Sequence, residues 1–207
     1  TADLARQGCY VLALAHREID IEQIGGIQEF QNWNRDQMEE DINFVGLVIF
    51  KNLLKEDTTE SIAELKRGAT RTVMITGDTA LTGVYVARQC GMVEYGARVL
   101  LGDFDKAKNR IVWSDVNEPE LFPDINVDEA LLNEDHTPVE LAVTGKAFDW
   151  LCSQNLMRKY LLNTRVFARM TPTGKVDCIQ LHMERGITAM TGDGGNDCGA
   201  LRAAHVG

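Results

Sequence analysis

Short, nearly continuous apolar runs alternate with amphipathic stretches along most of this chain, and that alternation narrows the available folds more than any other feature. Tyr10 to Ala15, Ile42 to Phe50, Arg71 to Ile75, Ala97 to Leu101, Glu140 to Val143, Arg165 to Ala168 and Ile187 to Met190 read as strands. Glu56 to Arg67, Leu81 to Cys90, Lys146 to Gln154 and Gly174 to Arg185 have helical character. Asp57 or Thr58 is placed to cap the first helix, while Gly68 and Gly91 are placed to stop the first and second. Residues 20–40 are polar and mixed, broken by Gly25-Gly26. Strands that are apolar throughout belong to sheets covered on both faces, and strand–helix alternation is the pattern of parallel crossovers. The expected fold is therefore α/β, with a mostly parallel sheet and helices on both faces. Tyr10 to Ala15 is expected to be buried, and Ile42 to Phe50 to be a central strand.

Sheets of this kind bind ligands beyond the carboxyl ends of their strands. Three expected strand ends carry chemistry: Thr76-Gly77-Asp78, Lys175 shortly after Met170-Thr171-Pro172, and the run Thr191 to Asp197. The last packs two carboxylates and an amide among three glycines. Glycine permits positive φ and close backbone approach, so such oxygens can converge on one point. The helix-like stretch Cys198 to Ala204 would then aim free N–H groups at an anion. The run fails as a calcium loop, because Cys198 and Ala204 stand where glycine and glutamate are required. It fails as a dinucleotide fingerprint, because Asp197 stands at the third glycine. Taken alone it fits a solvated turn as well as a magnesium–phosphate site.

The other strand ends carry the same ambiguity. Thr76 offers a hydroxyl and an N–H to a phosphoryl oxygen, although a helix cap is its slightly commoner role. Lys175 opens a helix, where a cation opposes the macrodipole. That is a reason to look for phosphate neutralisation, although a solvated lysine is the commoner outcome. Asp193 suits magnesium, which takes one or two carboxylates with phosphate oxygens and water. Asn196 could donate to a phosphoryl group, and Asp197 could orient Lys175 or a metal-bound water. Phosphoryl transfer rests on positioning and charge neutralisation, which this set supplies. It lacks a nucleophile at a suitable strand end. Asp103-Phe104-Asp105 has the spacing of a phosphatase nucleophile, but it follows the Thr76 motif instead of preceding it.

The 207 residues carry a net charge of −10, which argues against nucleic acid as a partner. Nine acidic residues and no Lys or Arg lie between Asp115 and Glu140, together with Pro119, Pro123 and Pro138. This reads as a solvated surface excursion over 102–140. The five cysteines form no Cys-x-x-Cys pair, which disfavours zinc and a disulfide framework and fits a reducing compartment. No signal peptide is recognisable. The apolar runs are too short to span a bilayer, so this piece is expected to be soluble.

The order Thr76-Gly77-Asp78, then Lys175, then Gly192-Asp193-Gly194-Gly195-Asn196-Asp197 resembles the later motifs of the haloacid-dehalogenase-like superfamily. More narrowly, it resembles the phosphorylation domain of P-type ATPases. The likeness runs through 44–68, 71–93, 165–180 and 190–207, and covers most of 41–101 and 141–207. The Asn52-Leu53-Leu54-Lys55 run and Asp197 to Leu201 are most similar to the type V group, subtype B. That resemblance implies an ATP-driven pump of endosomal or lysosomal membranes with polyamines as cargo. The helix dislocase of the endoplasmic reticulum is the nearest rival. It implies that Thr76 and Gly77 bind the aspartyl phosphate, with Asp78 near the nucleotide. Lys175 would neutralise the phosphoryl group, Asp193 would hold Mg2+, Asn196 would contact phosphate and Asp197 would support the site. ATP and Mg2+ would be the cofactors. The partners would be the transmembrane and remaining cytosolic domains of the same polypeptide, with the membrane reached only through them. Residues 1–40 would end a nucleotide-binding domain and 41–207 would form the phosphorylation domain. Three departures from the family pattern stand out. No Asp-Lys-Thr-Gly-Thr string occurs, Thr79 replaces the usual asparagine, and Gly8-Cys9-Tyr10-Val11 replaces Gly-x-Arg-Val. A piece of a larger pump, inactive without its nucleophile, is the resulting expectation. A stand-alone magnesium-dependent phosphatase is the alternative.

Overall fold

A computed structural model describes residues 2–132 and 137–207. Helix α1 (Ala2–Arg6) leads into β1 (Cys9–His16), then α2 (Ile27–Gln31), α3 (Arg35–Met38) and β2 (Asn43–Lys51). Next come α4 (Thr58–Arg67), β3 (Met74–Ile75), α5 (Ala80–Gln89), β4 (Arg98–Asp105), β5 (Arg110–Asp115) and α6 (Val127–Leu131). The chain continues through β6 (Val139–Thr144), α7 (Gly145–Ser153), α8 (Met157–Tyr160), β7 (Thr164–Ala168) and α9 (Pro172–Met183). A 3-10 turn (Gly195–Asp197) runs into α10 (Cys198–Ala203).

Five strands form a sheet in the order β3-β7-β6-β4-β5. The first four are parallel, and β5 returns antiparallel to β4. The mostly parallel α/β sheet is therefore present. Its two faces are cleanly divided. Leu100, Leu141, Val143 and Phe167 face α7, α8 and α9, packing on Phe148, Leu151, Leu161 and Cys178. Val99, Ala142, Val166 and Ala168, one residue out of step, pack on Val84 and Ala87 of α5. Successive strand residues point to opposite faces, so an unbroken apolar strand feeds both layers at once. Arg165 clasps the sheet at its other end. Its guanidinium grips Glu140 of β6, with the shortest contact at 2.6 Å, and donates to the Thr72 carbonyl at 2.8 Å. Both charged residues are only 8% exposed.

Three helices start directly after parallel strands, and each uses a threonine cap. Thr79, Thr144 and Thr171 accept from the amides of Thr82, Ala147 and Gly174 at 3.3, 3.3 and 3.0 Å. Each cap satisfies one of the orphan donors of a first turn, worth about 1 kcal/mol. Asp57 occupies the cap position of α4 but makes no capping bond.

Three sequence expectations change. The strands β1 and β2 exist, but they pair only with each other, antiparallel from Cys9–Lys51 to His16–Asn43. They are neither buried nor central: Leu12, Leu14, Phe44 and Val45 are 44, 49, 67 and 61% exposed. A two-stranded ribbon has no second layer among the described residues to cover its apolar faces. The ribbon spans residue 40, with β1 before it and β2 after. Second, Ile187 to Met190 is not a strand. It makes one parallel bridge, Ala189 to Val206, and Ile187 is 84% exposed. Third, the acidic stretch is partly core. Strand β4 extends to Asp105, and the unanticipated β5 buries Ile111 and Trp113. Asp115 is 6% exposed, with Arg98 Nε at 2.7 Å from its carboxylate. Glu134 and Asp135 lie outside the described residues; Glu118, Glu120, Asp124 and Glu129 are exposed as expected.

Leu141→Ala is expected to lower the unfolding free energy by about 2–5 kcal/mol, the range for a fully buried leucine. Leu12→Ala, on the exposed ribbon, should change it by less than about 1 kcal/mol. Urea denaturation of the two variants measures both.

Candidate phosphoryl site

The turn beyond β3 is sewn to the turn beyond β7. The Thr76 amide donates to the Phe167 carbonyl at 2.8 Å, and the Thr76 carbonyl accepts from the Met170 amide at 3.0 Å. The Asp78 carbonyl accepts from the Arg169 amide at 2.9 Å. The Thr76 hydroxyl closes its own turn, accepting from the Asp78 amide at 3.0 Å. Thr76 is therefore no helix cap, because Thr79 holds that position. Gly77 and Asp78 are exposed.

Lys175 stands in the first turns of α9, behind the Thr171 cap and Pro172. It is not a solvated lysine: it is 8% exposed, and its Nζ donates to Asp197 Oδ1 at 2.6 Å. The other carboxylate oxygen of Asp197 accepts from the Gly194 amide at 3.3 Å. The hydrogen bond from Lys175, the Lys175 charge and the Gly194 amide together hold the Asp197 carboxyl below the usual carboxylate range, against partial desolvation. Glycine at 192 is a steric requirement, since a Cβ there would lie 2.7 Å from the Asp197 Cβ. Helix α10 seats the same loop on α9, where Gly199 leaves room for Val176.

The structure thus joins Thr76, Gly77 and Asp78 to the β7–α9 segment that carries Lys175, and joins Lys175 to Asp197. Asp193 and Asn196 are exposed and make no side-chain hydrogen bond or ion pair to a described residue. Among the described residues, no three His, Cys, Asp or Glu side chains cluster as a ready-made metal cage. A single uncommitted carboxylate in a glycine-rich loop still fits magnesium, which completes its shell with phosphate oxygens and water. Asp103, the alternative nucleophile, lies on β4, three places from β3 in the sheet. Its Oδ1 accepts from the Thr144 hydroxyl at 2.7 Å. Sequence reasoning missed Thr171 and Arg169. The Thr-Pro pair at 171–172 was a readable cap signal, whereas the left-handed backbone of Arg169 (φ 55°) was not.

No protein-family model matches the chain. Individual proteins do. The chain is 35% identical over 223 residues to the polyamine-transporting ATPase 13A3 of Homo sapiens, covering 99% of this chain and 18% of that protein. It is 33% identical over 215 residues to the probable cation-transporting ATPase 13A5 of Homo sapiens, covering 97% and 17%. It is 36% identical over 208 residues to the endoplasmic reticulum transmembrane helix translocase of Saccharomyces cerevisiae, covering 98% and 16%. Its homologues are P-type ATPases. These relatives are of type V, and the chain spans less than a fifth of their length. No helix among the described residues is long and apolar enough to cross a membrane.

Because the Asp197 carboxyl sits below its ordinary value in the fold, its contribution to stability is full above the unfolded value of about 3.9. It is lost as pH falls through the lowered folded value. Asp197→Asn should therefore flatten the stability loss seen between about pH 5 and pH 2, read as urea midpoints against pH. An unchanged acid limb would show that the pair carries no such linkage.

Proposed function

We propose that this chain is a cytosolic catalytic piece of an ATP-driven membrane transporter that works through an aspartyl-phosphate intermediate. The single observation that carries this reading is the buried Lys175–Asp197 pair, held on the same β7–α9 segment that is sewn to Thr76-Gly77-Asp78. In this reading residues 41–207, with the five-stranded sheet, form a haloacid-dehalogenase-like phosphorylation domain, and residues 1–40 end a nucleotide-binding domain. Thr76 and Gly77 hold the phosphoryl oxygens, and Asp78 lies near the nucleotide. Lys175 neutralises phosphoryl charge, Asn196 donates to it, and Asp197 fixes the lysine. Asp193 would hold Mg2+, which supplies further charge neutralisation when bound. The nucleophilic aspartate and the membrane segments would come from other parts of the polypeptide.

Polyamine or another cation is the favoured cargo, with an endosomal or lysosomal membrane as the setting. The support is the type V resemblance together with the relatives named for polyamine and cation transport. The similar identity to the helix translocase makes a transmembrane helix the alternative cargo.

Two measurements test the reading. Asp193→Asn should weaken Mg2+ binding about tenfold or more, the order of loss for an impaired metal shell, by calorimetric titration. Asp193 supports no other described contact, so the fold should persist. With ATP and Mg2+ the 207-residue chain should form no acid-stable phosphoenzyme. A phosphorylated aspartate found by mass spectrometry would overturn the assignment of the nucleophile to another segment.

A further inference from the structure

A cleft opens one step along the sheet from the candidate phosphoryl site, above the carboxyl ends of β4, β6 and β7. It has a volume of about 610 Å³, within the range of small-molecule sites. None of Thr76, Gly77, Asp78, Lys175, Asp193, Asn196 or Asp197 lines it. Its floor is apolar, from Leu81, Leu101 and Met170, and its polar groups are Asp103, Lys146, Asp149 and Arg169 with the capping threonines.

The charges on its wall are not equivalent. Lys146 and Arg169 are exposed and have no ion pair or side-chain hydrogen bond to any described residue. Asp103 is already answered, by the Thr144 hydroxyl at 2.7 Å and the Phe104 amide at 2.9 Å. Asp149 has no cation partner among the described residues, and desolvation, with Asp177 adding to it, raises its carboxyl above the ordinary value. The cleft therefore offers two uncommitted cations and one uncommitted carboxyl. Its wall is built by close approach. Arg169 takes a left-handed φ of 55°, its amide is held by Asp78, and its carbonyl lies 2.4 Å from where a Cβ on Gly145 would be. A non-glycine residue in that conformation costs on the order of 1 kcal/mol or more, so the surrounding contacts must impose it.

We propose that this cleft is a binding site for a small hydroxylated phosphomonoester of the sugar-phosphate class. Lys146 and Arg169 receive the phosphate, Asp149 accepts from ligand hydroxyls, and the C–H face of the ligand lies on Leu81, Leu101 and Met170. Charge-assisted contacts select the phosphate, and the carboxyl with the apolar floor selects the carbon skeleton over a bare anion. The site stands independently of the phosphoryl chemistry proposed above.

The test is a nitrogen-15 NMR titration of the 207-residue chain with glucose 6-phosphate, glucose and inorganic phosphate at millimolar concentration. Saturable shifts at the amides of Lys146, Asp149 and Arg169 are expected with glucose 6-phosphate. Binding should weaken at least tenfold in Lys146→Ser with Arg169→Asn, asparagine being chosen because it tolerates left-handed backbone. Lys146→Glu alone should weaken it as well, and the spectra themselves report whether each variant is folded. The proposal is overturned by absence of saturation at those amides, or by wild-type affinity in the double variant. It is equally overturned by saturable shifts confined to the amides of residues 192–197, which would place the phosphate in the glycine loop. Equal affinity for glucose or for inorganic phosphate would overturn the ligand class.

Discussion

The contact between Lys175 and Asp197 decides where the glycine-rich loop sits, and the rest of the site follows from that. The loop's two flanks are tied to each other, by the Met190–Val206 and His205–Thr188 backbone hydrogen bonds. The segment before it makes one bridge instead of a strand, and α10 after it has six residues, too few to hold a helix on its own. The loop is therefore anchored from the side. Asp197 reaches Lys175 on α9, Gly192 and Gly194 leave space for that carboxylate, and Gly199 lets α10 close on Val176. Lys175 in turn is positioned by α9, whose start is set by Thr171 and Pro172 at the end of the most completely buried strand, β7. One ion pair thus transmits the rigidity of the sheet to a loop that has none of its own.

The sheet delivers the other groups by repetition. Three parallel strands end, turn through a capping threonine and enter a helix at Thr79, Thr144 and Thr171. Repeating one local device along one sheet edge places three helix starts and their turns side by side. The candidate phosphoryl site and the cleft beside it meet at Arg169 and Met170, whose amides bond back to the Thr76–Asp78 turn. This is the general consequence of parallel topology, in which polar residues need only stand just past the strands to be neighbours in space.

Much of this was legible in the residues. The apolar runs announced the strands that became β4, β6 and β7, because a strand buried on both faces must be apolar throughout. The polar strand ends were legible too, because glycines and carboxylates have no place in a core. The failures share a physical cause. Apolarity reports what a strand prefers, not what covers it, so β1 and β2 read as buried and lie exposed. Ile187 to Met190 has the composition of a strand, yet strand pairing is a tertiary property, and a single bridge is what it finds. In the acidic stretch, net charge outweighed the short pattern Ile111, Trp113, Asp115, whose alternate residues all turn inward. The burial of Asp115 depends on Arg98, seventeen residues away in sequence, which a local reading does not see. At the site, residue types pointed to Lys175 and Asp197, but their contact spans twenty-two residues and could be proposed only as one role among several.

The chemistry of that contact also explains why a lysine is stable at a helix start. The positive end of the α9 macrodipole and near-complete burial both oppose its charge. Asp197 offsets both, and its two oxygens divide the work, one bonded to Lys175 and the other to the Gly194 amide. Under the proposed function, this division matters when a phosphoryl group arrives. The dianion competes with Asp197 for Lys175, and the lysine can turn toward it while the second oxygen keeps its hold on Gly194. The loop carrying Asp193 and Asn196 would then stay in place as the charge it had stored is handed to the substrate. A neutral residue at 197 could shape the loop but would leave the buried ammonium without a counter-charge. Under the proposed function the carboxylate serves the resting state as much as the reaction.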